Sequence, residues 1–454
     1  VDFSVAGQHV VVVGAARSGI AAVELLVERG ARVTLSERRD EIADAKALAE
    51  RGVNLELGGH RMETFERADL VVLSPGVPPE QPPIEAAKTR GVPVIAEIEL
   101  ASRWLKGRVI AITGTKGKST TTVLTGKILE RAGFAVTVGG NIGAPLSAQV
   151  DRSTPSTLHV VETSSFQLEG IVNFRPWIAV LLNVSPDHLD RHPSVDAYVA
   201  AKARIFENQQ ENDWAVVNAD DPIVLGLARH RRARHREFAR RAQLESGTVI
   251  ESGWIVKREK NESERLVPLS AIHLLGPHLV DDVMAAATVG AIAGARASAM
   301  TAAVEAFRGL EHAMELVAET SGVRFVNDSK ATNVDSALRS IESFETGLVP
   351  IIGGRFKGGD LGLLREPLRS RAKAVVAIGE ARSRVREAIA GAVPVHEAGS
   401  IDEAVRTAFD LAKPAGVVLL APACASFDMF RDYAERGEKF KEAVRKVIER
   451  GADL

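Results

Sequence analysis

The residues best suited to chemistry lie in one stretch, Val109–Thr122, read V-I-A-I-T-G-T-K-G-K-S-T-T-T. Val109–Ile112 reads as a buried strand, Gly114-Thr115-Lys116-Gly117 as a tight turn, and Lys118-Ser119-Thr120 as the start of a helix running to about Arg131. Strand, glycine loop and helix in that order build a phosphate cradle. Glycines let backbone N–H groups approach phosphate oxygens, and the helix N-terminus adds donors and partial positive charge. Lys118 suits the terminal phosphates, and the Ser119 or Thr120 hydroxyl suits Mg2+. The general pattern carries a Gly five residues before Gly117; here that position is Ile112, so the loop is a shorter variant.

Other candidates fall where apolar runs end. Leu158–Val161 ends in Glu162, a carboxylate placed for Mg2+ or for a helix start. Ala135–Val138 leads into Gly139-Gly140-Asn141. Ile178–Leu182 is followed by Asp187, His188 and Asp190, where a sheet would open. Lys202, in a helical stretch Tyr198–Glu207, reads on its own as a solvated lysine. Near the start, Val10–Val13 runs into Gly14-Ala15-Ala16-Arg17-Ser18-Gly19, a dinucleotide-type turn with its second glycine replaced by Ala16. The next strand ends at Glu37, near where a ribose hydroxyl is usually held. Leu70–Leu73 ends in Ser74-Pro75-Gly76.

The elements that position these residues alternate, strand then helix, almost throughout, which predicts parallel sheets with crossover helices. Three units are expected: 1–97, 98–309 and 310–454. In the third, Val323–Val326, Leu348–Ile352, Ala374–Ile378 and Val417–Leu420 each end in polar or glycine residues, predicting a second doubly wound sheet with its own ligand edge. The Ala-rich stretch Ala285–Ala303 carries Arg296 and predicts a packed helix, not a membrane span. The Arg-dense stretch His230–Arg241 reads as a solvated face.

Composition narrows the class. The chain has 454 residues, 45% hydrophobic and 26% charged, as in an ordinary globular enzyme. A net charge of −2 leaves no bulk electrostatic footprint for nucleic acid. The single cysteine, Cys424, excludes an internal disulfide and fits a reducing cytoplasm. No secretory signal is visible, so a cytoplasmic protein without a membrane span is expected.

Five segments occur together and in order: T-G-T-K-G-K-S-T, E-T-S-S-F-Q-L (Glu162–Leu168), N-V-S-P-D-H-L-D (Asn183–Asp190), N-D-S-K-A-T-N (Asn327–Asn333) and P-A-C-A-S-F-D (Pro422–Asp428). They resemble the Mur ligases over essentially the whole chain. The last two favour the member that adds D-glutamate to UDP-N-acetylmuramoyl-L-alanine. The resemblance implies an α/β fold of three domains: an N-terminal Rossmann-like domain, a central P-loop ATPase-like domain with a mostly parallel sheet, and a C-terminal Rossmann-like domain. It implies an ATP-dependent amide ligase of peptidoglycan precursor synthesis, working through an acyl phosphate, with two Mg2+ ions and a monomeric state.

The resemblance also implies roles. The UDP-substrate would be held by Ala16, Arg17, Ser18, Glu37, Arg39, Ser74, Pro75, Gly76 and Asn141, with Arg39 against the uracil. Lys118 would neutralise the transferred phosphoryl group, and Ser119, Glu162, His188 and a carbamylated Lys202 would hold metal. Asp282 and Asp328 would lie near the nucleotide. Lys330, Thr332, Lys357 and Ser426 would meet the carboxylates of D-glutamate, with Phe427 and Tyr433 beside them; Lys330 would also act catalytically.

The chain departs from the family twice. Where H-N-x-x-N is usual, it has His278-Leu279-Val280-Asp281-Asp282, with Asp282 as the substitute for an Asn. Where His-Arg is usual, it has His312-Ala313, so either Arg308 or Arg355 takes over the contact to the nucleotide's phosphates or nucleotide handling is weakened. Three other readings stand beside the ligase. A sister ligase adding another amino acid is opposed by Lys330 with Ser426. A nicotinamide oxidoreductase leaves the phosphate loop without a purpose. A regulator that binds ATP without ligating is kept open by the two departures.

Overall fold

A computed structural model describes residues 3–452 except 189, 190, 230, 231, 261 and 274–276. The first sheet holds β1 (His9–Val13), β2 (Arg32–Ser36), β3 (Asn54–Glu56), β4 (Leu70–Leu73) and β5 (Val94–Ala96). All pairings are parallel, in the order β3-β2-β1-β4-β5. The valine run of β1 is explained by helices on both faces. Val10 and Val12 pack with Leu26 and Leu35 on one side, Val11 and Val13 with Phe65 and Ile84 on the other.

The second sheet comprises β6 (Arg108–Thr113), β7 (Ala135–Gly140), β8 (Thr157–Glu162), β9 (Ile178–Leu181), β10 (Trp214–Asn218), β11 (Arg234–Phe238), β12 (Ser246–Glu251), β13 (Trp254–Glu259) and β14 (Glu262–Pro268). Its order is β14-β13-β12-β11-β10-β9-β6-β8-β7. It is parallel from β7 to β12, and β12, β13 and β14 form an antiparallel meander. The meander departs from the strand–helix alternation read from sequence, and the Arg-dense stretch contains β11. These strands carry Arg, Lys and Glu on a half-exposed sheet, so their apolar signal is interrupted. Gly294 interrupts the Ala-rich stretch, which forms two helices, Pro277–Ala293 and Ala297–Ala306, in place of one.

The third sheet is β15 (Glu315–Thr320), β16 (Val323–Asn327), β17 (Leu348–Gly353), β18 (Val375–Ile378), β19 (Val395–Glu397) and β20 (Gly416–Leu420), ordered β15-β16-β20-β17-β18-β19. Only the edge strand β15 is antiparallel. Apolar clusters cover both faces, with Val326, Ile352 and Leu419 on one and Phe325, Ile351 and Val418 on the other.

The chain forms two compact units, Val1–Ile272 with Val280–Ala306, and His273–Leu279 with Phe307–Leu454. The first two sheets therefore share one unit and the third lies in the other. Among the described residues no helix is long and apolar enough to cross a membrane.

Candidate functional site

The phosphate loop leaves β6 at Thr113 and enters the helix Lys118–Arg131 through Gly117. Asn183, from the end of β9, clamps it. Its Oδ1 accepts from the Lys116 N–H at 2.8 Å, its Nδ2 donates to the Lys116 carbonyl at 3.1 Å, and its own carbonyl accepts from the Thr115 N–H at 2.9 Å. The Thr115 hydroxyl meets the Tyr198 hydroxyl at 3.0 Å. Lys118 Nζ donates to the carbonyls of Gly114 and Thr115 at 3.0 and 2.9 Å. Thr120 lies half-buried in the first helical turn.

Gly117 has φ 80, the left-handed region, and a Cβ there would stand 2.0 Å from Asp282 Oδ1. Gly117→Ala is therefore expected to destabilise the protein by about 1–3 kcal/mol. A thermal unfolding midpoint equal to that of the wild type would show that the loop absorbs the methyl by reshaping.

Glu162 ends β8 almost wholly buried. Its Oε2 accepts from the Ser119 hydroxyl at 2.6 Å and its Oε1 from Asn141 Nδ2 at 2.8 Å. A carboxylate and a hydroxyl side by side at a phosphate loop are hard oxygen donors of the kind Mg2+ takes. This donor set fits the ion.

Lys202, read from sequence alone as solvated, is 2% exposed. Its Nζ donates to the Gly114 carbonyl at 2.7 Å and lies 4.7 Å from the Tyr198 ring centre. Burial, helped by the nearby charge of Lys118, pulls its pKa down to about 7. His188 has φ 53 and stands edge-on to Phe166, with ring centres 5.1 Å apart. Its Nε2 is 3.9 Å from Asp187 Oδ2. Asp190 lies outside the described residues.

The first sheet's carboxyl edge holds a second group. Ala16 and Arg17 are exposed and Ser18 half-buried at the start of the helix Arg17–Glu28. Glu37 accepts from the Ala15 N–H at 2.7 Å, the Arg39 N–H at 3.1 Å and Arg39 Nη2 at 3.1 Å. Burial opposes its ionisation, but Arg39 and these N–H groups prevail and hold its pKa near 2. Ser74 is buried and donates to the Gly14 carbonyl at 2.9 Å. Pro75 is half-buried and Gly76 exposed. Arg17 Nη1 donates to the Gly143 carbonyl at 3.3 Å, joining this edge to the loop after β7.

Between the two edges lies a cavity of about 220 Å³, lined by Ser74 and Pro75 and by Phe166, Gln167, Glu169 and Arg191. The buried Gln167 Nε2 has no hydrogen-bond partner. Sequence reasoning did not single out these four central residues. The quoted E-T-S-S-F-Q-L segment contains two of them, but nothing in its spacing indicates a cavity.

In the second compact unit, the segments after β16, β17 and β20 are tied by backbone bonds. Ala423 N–H donates to the Ala331 carbonyl, and Arg355 and Ala425 exchange two bonds. Asp328 is buried; its Oδ1 accepts from the Met314 N–H and its Oδ2 from Ser340. Burial raises its pKa. Lys330 and Lys357 are exposed, Thr332 is half-buried and Ser426 is buried. Phe427 and Tyr433 are exposed aromatics, and the Tyr433 carbonyl accepts from Ser329 Oγ. Arg436 carries no sequence signal. It is buried, and its guanidinium donates to Ser329 Oγ at 2.9 Å, the Ser329 carbonyl at 2.8 Å and the Cys424 carbonyl at 3.1 Å.

Three domain families match this chain in order: Mur ligase MurD-like, N-terminal domain over residues 8–96, Mur ligase middle domain over 112–290, and Mur ligase, glutamate ligase domain over 312–424. A UDP-N-acetylmuramoylalanine--D-glutamate ligase from Acidobacterium capsulatum is 48% identical over 98% of this chain and 97% of the relative. The chain belongs to the Mur ligase family. A relative of the same name from Geotalea uraniireducens is 46% identical over 97% of this chain and 98% of its own length. Two solved Mur ligases from Thermotoga maritima share the fold. UDP-N-acetylmuramate-alanine ligase MurC has a TM-score of 0.58 at 19% identity, covering 97% of this chain and 100% of that one. MurF ligase, solved in complex with ADP, has a TM-score of 0.58 at 16% identity, covering 98% and 96%. The three α/β domains with mostly parallel sheets are those of this family.

Proposed function

We propose that this Mur ligase adds D-glutamate to UDP-N-acetylmuramoyl-L-alanine with ATP, in the cytoplasm and as a monomer. The observation that carries the reading is the convergence of Lys118, Ser119, Glu162, Asn141 and Lys202 on one phosphate loop, in a chain 48% identical to a D-glutamate ligase along nearly its whole length. Residues 1–97 take the UDP-substrate, 98–309 the nucleotide and 310–454 the amino acid. The substrate carboxylate attacks the γ-phosphoryl group, forming an acyl phosphate and ADP. The D-glutamate amine then attacks the acyl carbon, and phosphate leaves.

Lys118 shifts from its own loop's carbonyls to the transferring phosphoryl oxygens, where its charge counts most as charge develops. Ser119, Glu162, His188 and Lys202 would hold Mg2+, which would supply neutralisation of the phosphate charge. As an ammonium, Lys202 offers only donors; carbamylated, it presents anionic oxygens. Its depressed pKa supports this, because carbon dioxide adds to the neutral amine. Asn141 and the lining of the cavity beside Ser74 orient the UDP-substrate. Lys330, Thr332, Lys357 and Ser426 supply separate donors for two carboxylates, with Phe427 and Tyr433 alongside. Asp282 and Asp328 would each lie near the nucleotide.

Phosphate release from ATP and Mg2+ with UDP-N-acetylmuramoyl-L-alanine, measured with D-glutamate, L-glutamate or no amino acid, tests the reaction. Release only with D-glutamate is expected. Release indifferent to the amino acid would favour an ATPase or a nucleotide switch instead.

Glu37 tests the first domain's part. Glu37→Gln removes the charge that pairs with Arg39 but keeps the shape. KM for the UDP-substrate should rise about tenfold, with kcat and KM for ATP unchanged. Equal KM values for the UDP-substrate would take Glu37 out of the site.

A further inference from the structure

Asp282 is a carboxyl in an unusual place. It is 3% exposed, one turn into the helix Pro277–Ala293, with its Oδ1 against the αL turn of Gly117. Its Oδ2 completes no hydrogen bond; the buried Thr121 hydroxyl on the phosphate-loop helix, itself without a completed bond, is the neighbour that favours the charged form, and burial outweighs it. A buried carboxylate with an orphaned oxygen is costly, and the cost vanishes when that oxygen carries a proton. The charged surroundings favour the proton. Asp281, next in the chain, has its Oδ1 2.8 Å from Arg240 Nε. Asp220, after β10, accepts from the N–H groups of Arg240, Arg241 and Ala242, and its Oδ2 is 3.8 Å from Arg241 Nε. Across the loop, Lys118 Nζ is directed at the Gly114 and Thr115 carbonyls. Arg240 and Arg241 are thus drawn to Asp281 and Asp220, not to Asp282.

We propose that Asp282 is a positioning residue that braces the phosphate loop as a neutral, protonated carboxyl, and that its ionisation weakens nucleotide binding. The inference rests on the reading that this loop binds ATP. A protonated carboxyl, like a side-chain amide, sets a donor group beside an acceptor oxygen. An amide cannot ionise. An ionised Asp282 sets an uncompensated anion behind Gly117, where it opposes an incoming polyphosphate and pulls the loop's N–H groups away from it. Burial, reinforced by Asp281, raises its pKa well above the ordinary value, in keeping with the geometry.

The sign of the pH effect follows. A carboxyl whose pKa is raised on folding is neutral in both states below its unfolded value. Its cost to stability grows as pH rises from there to the folded value. Asp282→Asn should therefore unfold at a higher temperature than the wild type near neutral pH, with the gap widening as pH rises and closing in acid.

The decisive measurement is the Kd of the full-length protein for Mg-ADP by calorimetry, wild type against Asp282→Asn, from about pH 6 to about pH 9. The ADP phosphate's own titration is common to both proteins and cancels in the ratio. The expected result is a Kd ratio that grows about tenfold across the range in favour of the Asn variant. A constant ratio, with both proteins binding, would overturn the proposal while leaving the nucleotide site intact. Binding by neither at any pH would remove the nucleotide site and the proposal with it. An unfolding gap that is flat with pH would also overturn it.

Discussion

Replacing Lys118 with Met lowers kcat for ligation by about a thousandfold or more, while the fold survives. The side chain is half-buried on its own loop, its ammonium 3.0 and 2.9 Å from two carbonyls, of which that of Gly114 keeps Lys202 Nζ as a donor when Met replaces Lys118. Met keeps the stem and deletes the charge. The loss should fall on kcat more than on KM for ATP, because charge on the transferring phosphoryl oxygens is greatest away from the ground state. Lys118→Arg restores the charge but places a broad planar fork where a compact ammonium sits, so it recovers little. Single-turnover phosphate release separates the chemical step from product release. A Met variant turning over at the wild-type rate would remove Lys118 from the reaction centre.

Lys202→Met comes next, with an expected loss of about a hundredfold or more in kcat. Two further observations distinguish a carbamate from a simple buried ammonium. Wild-type activity should fall when bicarbonate is stripped from the buffer and return when it is restored. Labelled bicarbonate should give a carbamate carbonyl signal in the wild type and none in the Met variant. The pH dependence has a definite sign. The folded pKa is about 7 against the ordinary 10.5, so the unfolded chain binds more protons between those values. Stability contributed at this site therefore rises with pH across that window, and the penalty for the buried charge is full below it. With carbon dioxide excluded, Lys202→Met should gain stability over the wild type most strongly below pH 7, the advantage shrinking toward pH 10.5. Full activity of the wild type without bicarbonate would leave Lys202 as an ammonium held by Gly114.

The sequence by itself determined much of this protein. The unbroken apolar runs Val10–Val13, Val109–Ile112 and Val417–Leu420 read as buried strands, and their alternation with helical stretches implies parallel sheets with crossover helices. The strand–turn–helix of the proposed phosphate loop was legible because its geometry is local: Gly117 takes the positive φ of the turn, and Lys118 and Ser119 open the helix directly after it. Each proposed ligand edge was visible as polar residues ending an apolar run.

Tertiary structure decided what depends on distant partners. Lys202 looks like a solvated helix lysine until its Nζ meets a carbonyl 88 residues earlier in the chain. Periodicity records which apolar residues must leave water; it is silent on a cation drawn inside by one carbonyl and one ring. Glu162 was ambiguous between a helix-start acid and a metal ligand. Packing gave it Ser119 and Asn141 as neighbours and left the helix start to Ser164, whose side chain caps it. The β12–β14 meander escaped notice because β13 and β14 each give about half their length to a block of charged or polar residues, leaving apolar runs too short to stand out. Arg436, and the burial of Asp282, escaped for the opposite reason. A buried charge or a buried acid is set by the shape of the space around it, and no residue beside it in sequence announces that space.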